Sequence, residues 1–440
     1  MTKISNIKFV YLIYCILIIL TIHRDSVFVS IFGEMGKNIS AIICLLLYPF
    51  VRFAMRNKLP KEMRFFRNIT LYYAIISFLM AFFVVALTGN VVYVGENLFV
   101  KTIKVIILLF SQLSFVFVLY TFGKRFDMKK RFKPFYYVYL ILFIIAIVEK
   151  IYMPNALILL HSTAVFPYWR MRLLTTEASF VTLQIVFFFL TSFYYAFTLL
   201  HSKVKSVFVI LIFLFFAFET QSKSLLVLIA ILILYLLFLY MHKMTPKKFL
   251  LFAVVAVISL FAITRIVSLF TILIGDSFSQ STSFSTRTYS ILTGFITGMN
   301  YPFGTGGSSY LFIYPKILEE YIWIPQSYKF ELSEIYTFIN ATSDENIAVK
   351  SGFFGFFMKF GIIGTVYFFT NYYLLVKNNI KNRILKICIF LIIVGITCFV
   401  AIETEFWLTI VVSLFFSYDK KKKKSKDFCI VSNNTMMNCC

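Results

Sequence analysis

Long apolar runs, broken by short polar connections, recur from one end of the chain to the other. The clearest are Ile69–Thr88, Phe180–Leu200, Ser224–Met241 and Phe249–Ile274, each close to the roughly 20 residues that a helix needs to cross a bilayer. Extended over the whole chain, the pattern predicts spans at 9–22, 39–55, 69–88, 103–122, 135–152, 180–200, 204–218, 224–241, 249–274, 353–376, 384–402 and 404–418. The expected fold class is therefore all-α: a polytopic integral membrane protein with about twelve transmembrane helices and one long outer-face loop. The organisation that follows is helices 1–9 in residues 1–274, a long extracytoplasmic loop in 275–350, helices 10–12 in 351–418 and a polybasic tail in 419–440.

Composition agrees with a membrane chain: 60% of residues are hydrophobic, 20% are aromatic and mean hydropathy is +0.87. No small-residue cleavage site follows the first apolar run, which reads as a retained helix. The seven cysteines lie in apolar runs or in the tail, so they do not form an outer-face disulfide framework. A net charge of +24 would ordinarily suggest nucleic acid. Sorted by connection, however, 29 of the 43 Lys/Arg fall on alternate loops and the two termini, with only Glu62, Asp127, Asp419 and Asp427 among them. This is positive-inside bias. It places both termini in the cytoplasm and removes nucleic acid from the list of partners.

The informative cations are those that orientation does not explain. Arg170, Arg172, Lys223, Arg265, Arg287 and Lys359 lie outside, or in a span near its outer end. Arg265 sits roughly 24 Å along its apolar run, where an ionisable residue either snorkels to the headgroups or serves function. In the long loop, Tyr289, Leu292, Phe295, Ile296 and Met299 recur at helical spacing, which suits a helix lying on the membrane surface with Arg287 near its start. YPFGTGGSS follows, and Gly304, Gly306 and Gly307 there allow close approach of backbone to a ligand. The P-loop spacing is absent, as are HExxH, GxSxG and any cysteine cluster. The four histidines are scattered and none lies in 275–350. No metal and no cofactor is expected.

In order and in sidedness, these elements resemble Wzy-type polysaccharide polymerases of the O-antigen polymerase/ligase superfamily. RMRLLTTEAS resembles their Arg…Glu-Pro-Ser element and TQSKS their Thr-x-Ser-Arg/Lys element. STR and YPFGTGGSS resemble the Ser-x-Arg helix and the Pro-x-Gly-x-Gly turn, and KSGFFGFFMKFGIIG resembles the segment entering the next helix. Ala178 stands where proline is common, and Lys223 where arginine is frequent. The resemblance covers roughly 150–405. It implies a glycosyltransferase of the bacterial inner membrane, acting in O-antigen (lipopolysaccharide), capsule or other polysaccharide biosynthesis. Its reaction would polymerise undecaprenyl-diphosphate-linked oligosaccharide units on the outer face. Membrane lipid and a chain-length regulator are the implied partners.

Such chemistry needs charge stabilisation for a departing diphosphate and a base for the acceptor hydroxyl. The resemblance implies Arg170, Arg172, Arg265 and Lys223 as diphosphate-binding, with Arg287 catalytic. Glu177 is either the base or a group that caps a helix or orients an arginine. Two alternatives stand beside this reading. O-antigen ligases share the architecture but generally carry a histidine in the long loop, which 275–350 lacks. A lipid-linked oligosaccharide flippase would show internal repeats and charges at mid-membrane.

Overall fold

The computed structural model describes residues 2–25, 27–32, 36–161, 167–175, 178–220, 222–241, 282–327, 330–343, 347, 349–398 and 402–437. Their regular structure is helical apart from one short antiparallel hairpin, β1 (Val92–Tyr93) and β2 (Glu96–Asn97). The helices before the long loop are α1 (Thr2–Ile19), α2 (Val27–Phe32), α3 (Ile39–Pro49), α4 (Arg64–Thr88), α5 (Leu98–Gly123), α6 (Met128–Tyr152), α7 (Ala178–Phe193), α8 (Lys203–Glu219) and α9 (Lys223–Met241). Then come α10 (Thr282–Asn300), α11 (Tyr310–Glu320), α12 (Trp323–Ser327), α13 (Ser333–Ile339), α14 (Gly352–Asn379), α15 (Arg383–Cys398) and α16 (Thr404–Met437).

Each apolar run read as a span carries a helix, except Phe249–Ile274, which lies outside the described residues. Among the described residues, five helical stretches are long and apolar enough to cross a membrane: Lys61–Thr88, Leu98–Gly123, Met128–Tyr152, Ala178–Leu199 and Gly352–Asn379. The chain is a multi-pass membrane protein. Polar residues set the helix starts. Asn97 accepts from the amides of Phe99 and Val100, Asp127 from Lys130, and Ser351 from Phe354, each satisfying a first-turn N–H. The most enclosed spans are α5 and α7, with 72% and 83% of their apolar windows buried, so the other helices gather around these two.

The loop helix departs from expectation. α10 runs beside α14 in the same direction instead of lying flat on the membrane surface. Gly294 meets Phe354, Gly298 meets Phe357, and Gly304 meets Lys359–Gly361. The cause is small residues at helical spacing: a Cβ on Gly298 would strike the Phe357 ring at 2.2 Å, so the glycine is what lets the two helices close. Residues 301–309 then turn, and α11 returns along the outer half of α4, with Ile313 and Ile317 packed on Ala81, Val84 and Leu98.

This is a re-entrant hairpin whose tip reaches Ser77, midway along the 25-residue α4. Non-helical backbone at that depth is stable only when protein satisfies it. Here Thr305 and Gly306 donate to the carbonyls of Met358 and Lys359, and Gly307 donates to Ser77 Oγ. Gly361, at φ +65, breaks the α14 ladder where the tip docks.

Candidate functional site

One end of the helix bundle carries a buried charge cluster assembled from four separate stretches of chain. The connection after α1 contributes Arg24 and Asp25. Their amides both donate to the Leu174 carbonyl, at 3.0 and 3.1 Å. This pins the connection after α1 to the segment that precedes α7. Arg24 is 4% exposed and holds two carboxylates from the start of α16: Glu403, at 3.2 Å, and the fully buried Glu405. Burial opposes the Arg24 charge, but Glu405 and Glu403 outweigh it and hold its pKa above the ordinary value.

Asp25 in turn holds His161, with Oδ2 2.9 Å from Nδ1 and both side chains almost wholly enclosed. Burial pushes His161 below its ordinary pKa, and nearby Arg172 adds to the effect; Asp25 only partly offsets it. The imidazole is therefore neutral at neutral pH, and the geometry suits Nδ1–H donating to the carboxylate.

Arg172 sits at the centre. Its amide and that of Leu173 donate to the two oxygens of Glu149, at 2.9 and 2.8 Å. Leu173 takes φ +50 to make this bidentate cradle. The guanidinium lies over the Tyr168 ring at 4.5 Å from the centroid, a cation–π contact. Burial lowers the Arg172 pKa against the pull of Glu149, yet a guanidinium stays charged at any working pH. Arg170 and Arg172 do not share an environment: Arg170 is exposed, whereas Arg172 is only 2% exposed.

The remaining described candidates, Lys223, Arg287 and Lys359, stand on α9, α10 and α14. Lys223 is exposed at the start of α9 between Ser222 and Ser224, both bonded to Thr182 of α7. One residue on, Leu183 packs on Gly395 of α15. From the other side, Ser290 Oγ donates to the Arg287 carbonyl and accepts from the Lys350 amide. The next residue, Ser351, donates to the Thr397 carbonyl of α15 at 2.6 Å. Arg287 is half-buried on α10. Lys359 bridges hairpin and span, its Nζ 4.6 Å from the Tyr310 ring centroid. Glu177 and Arg265 lie outside the described residues. Gly304, Gly306 and Gly307 do approach backbone and side chains closely, but those of α14, α4 and α5. Among the described residues no group of three or more His, Cys, Asp or Glu is placed to hold a metal.

Sequence reasoning passed over Arg24, Asp25, Glu149, His161, Glu403 and Glu405. One signal was available: Arg24 is a cation on the wrong side of the first span, as telling as Arg170. The pairing of residue 24 with residues 403 and 405 had no local trace.

Residues 207–369, from within α8 to within α14, match the Wzy_C family model, described as O-antigen ligase. That stretch is a domain of the O-antigen ligase/polymerase family and takes in Lys223, Arg287 and the whole hairpin. No curated protein and no solved structure proved similar to the chain.

Proposed function

We propose that this chain, built around a Wzy_C domain, polymerises lipid-diphosphate-linked oligosaccharides on the outer face of a bacterial inner membrane. The observation that carries the reading is that the Wzy_C match includes the docked hairpin and the outer cations Lys223 and Arg287. In the reaction, a hydroxyl oxygen of the acceptor sugar attacks the anomeric carbon of the donor glycan. The carbon–oxygen bond to the carrier diphosphate breaks, and the hydroxyl proton passes to a base. The donor arrives activated, so the protein's contribution is positioning and charge.

Arg170 and Lys223, both exposed, and half-buried Arg287 are the proposed diphosphate contacts, together with Arg265. Arg287 stabilises the leaving group, for which a guanidinium fork is suited. Glu177 takes the proton. Arg172, enclosed by Glu149, Tyr168 and Asp25, organises the mouth and adds positive field without touching phosphate. All twelve apolar runs cross the membrane, with both termini inside and a chain-length regulator as partner.

The deciding experiment compares surface polysaccharide from a deletion strain and its parent on one gel. Collapse of the ladder to carrier or core bearing a single repeat supports polymerisation. Long chains that stay on the carrier and never reach their final acceptor point to ligation, and loss even of the single repeat points to transport.

Ligation has one observation in its favour. His161 is an outer-face histidine oriented by a carboxylate, although it lies outside the long loop. His161→Ala in a strain that keeps polymerising but stops ligating would select that reading.

A further inference from the structure

Helix α3 ends by widening into a π turn over Phe50–Ala54, where the Met55 amide reaches back to the Phe50 carbonyl at 3.0 Å. Arg56, at φ +49, then reverses the chain. Asn57 folds back over the turn, its Nδ2 donating to the Val51 and Met55 carbonyls at 3.5 and 3.4 Å. Two cations from different helices converge on this one neutral residue. Arg52 Nη1 donates to the Asn57 carbonyl at 3.0 Å, and Lys124, just past α5, donates from Nζ to its Oδ1 at 3.1 Å.

Both cations are half-buried, and among the described residues neither makes an ion pair with a carboxylate. The three described acids on the side that charge bias assigns to the cytoplasm are engaged elsewhere. Lys421 and Ser417 hold Glu62, the Lys130 amide holds Asp127, and Arg131 holds Asp419. Burial lowers the Lys124 pKa, and the neighbouring Arg125 lowers it further. Positive charge taken partly out of water and left without a counter-ion is unfavourable, so the site is complete only with an anion.

We propose that Arg52 and Lys124 bind the phosphodiester of an anionic phospholipid in the inner leaflet, with Asn57 fixing the spacing between them. The assignment does not depend on the glycan-transfer reading. An adjoining apolar face selects a lipid over a free anion. Leu46, Phe50 and Phe53 recur at helical spacing on α3 and its π turn and are 74%, 57% and 71% exposed, a stripe on which acyl chains can lie. Arg52 Cζ stands 5.9 Å from the Phe53 ring centroid, which puts the guanidinium at the edge of that stripe.

The test uses the full-length protein in a neutral detergent and titrates it, by native mass spectrometry, with phosphatidylglycerol and phosphatidylcholine of identical acyl chains. Wild type is expected to bind its first phosphatidylglycerol tighter by about tenfold or more. The double variant Arg52→Gln/Lys124→Gln should bring the two lipids within about twofold of each other. Asn57→Asp keeps both cations but sets a carboxylate between them, and it should erase the preference as well. Lys205→Gln, at an exposed site at the start of α8, lowers net charge by the same single unit and should leave the preference intact. Unchanged phosphatidylcholine affinity across the series reports that each variant folds.

Equal wild-type affinity for the two lipids overturns the proposal, as does a preference that survives in the double variant or in Asn57→Asp. A loss in Lys205→Gln as large as that in Asn57→Asp would assign the effect to overall charge and overturn it too. Displacement of phosphatidylglycerol by inorganic phosphate would show a site for free phosphate and overturn the lipid assignment.

Discussion

Gly306 lies directly against Ser77: a Cβ on the glycine would come within 2.6 Å of the serine Cα. One residue on, the Gly307 amide donates to Ser77 Oγ at 2.8 Å. This contact, between positions 229 residues apart, turns the long loop into a wall of the helix bundle.

Gly306→Ala should therefore be costly for two reasons. The residue adopts φ +73 and its neighbour is backbone, which cannot swing aside. Left-handed strain and overpacking together predict a loss of about 2–4 kcal/mol. Gly89→Ala is the control: its φ is +70, with nothing within 4 Å of the added carbon, so about 1 kcal/mol is expected. Thermal unfolding in detergent should separate the two, and equal Tm losses would show that the hairpin tip is not docked as described.

Arg24 carries the second prediction. Arg24→Met strands Glu403 and Glu405, and losing one partner of a buried ion pair costs about 3–5 kcal/mol. Adding Glu405→Gln should recover a substantial part, because the most enclosed carboxylate is then neutral. Chemical denaturation of both single variants and the double variant gives the coupling energy. Additive losses would mean that the contact contributes nothing of its own.

His161 predicts a pH dependence with a definite sign. Burial holds its folded pKa below the unfolded value of about 6.5. The unfolded chain thus binds the proton more readily, and folding stability is greatest above that value. It should decline as pH falls from about 6.5 toward the lower folded pKa. The groups facing the ring are Asp25 and the Leu173 backbone, which oppose the shift, and Arg172, which adds to it. Tm measured between pH 8 and pH 5.5 should fall, and His161→Gln should flatten that part of the curve. An unchanged slope in the variant would remove His161 as its source.

For activity, Arg287→Ala should lower polymer yield by 10²-fold or more, the usual scale for losing a transition-state charge donor. Half-buried at the head of α10, it should leave protein levels near normal. Exposed Arg170 should tolerate lysine with a smaller loss. Near-normal polymer from Arg287→Ala, quantified on gels at matched expression, would end its proposed role.

Hydrophobic patterning by itself determined the helical architecture. Runs such as 180–200 and 353–376 admit only a spanning helix, because a bilayer leaves no other way to satisfy backbone polar groups. Charge asymmetry gave an expected sidedness, and motif order singled out Lys223, Arg287 and YPFGTGGSS, which fall within the matched domain. Tertiary structure decided what those features touch. Helical spacing in 285–300 shows an apolar face but not what covers it. That Gly294 and Gly298 admit α14, and that the glycine turn approaches Ser77 and Met358–Gly361, depends on shapes distant in sequence. The Arg24–Glu403–Glu405 and Asp25–His161 pairs were invisible for the same reason. Periodicity reports local faces, whereas ion pairs between loops arise only when packed helices bring their ends to one surface.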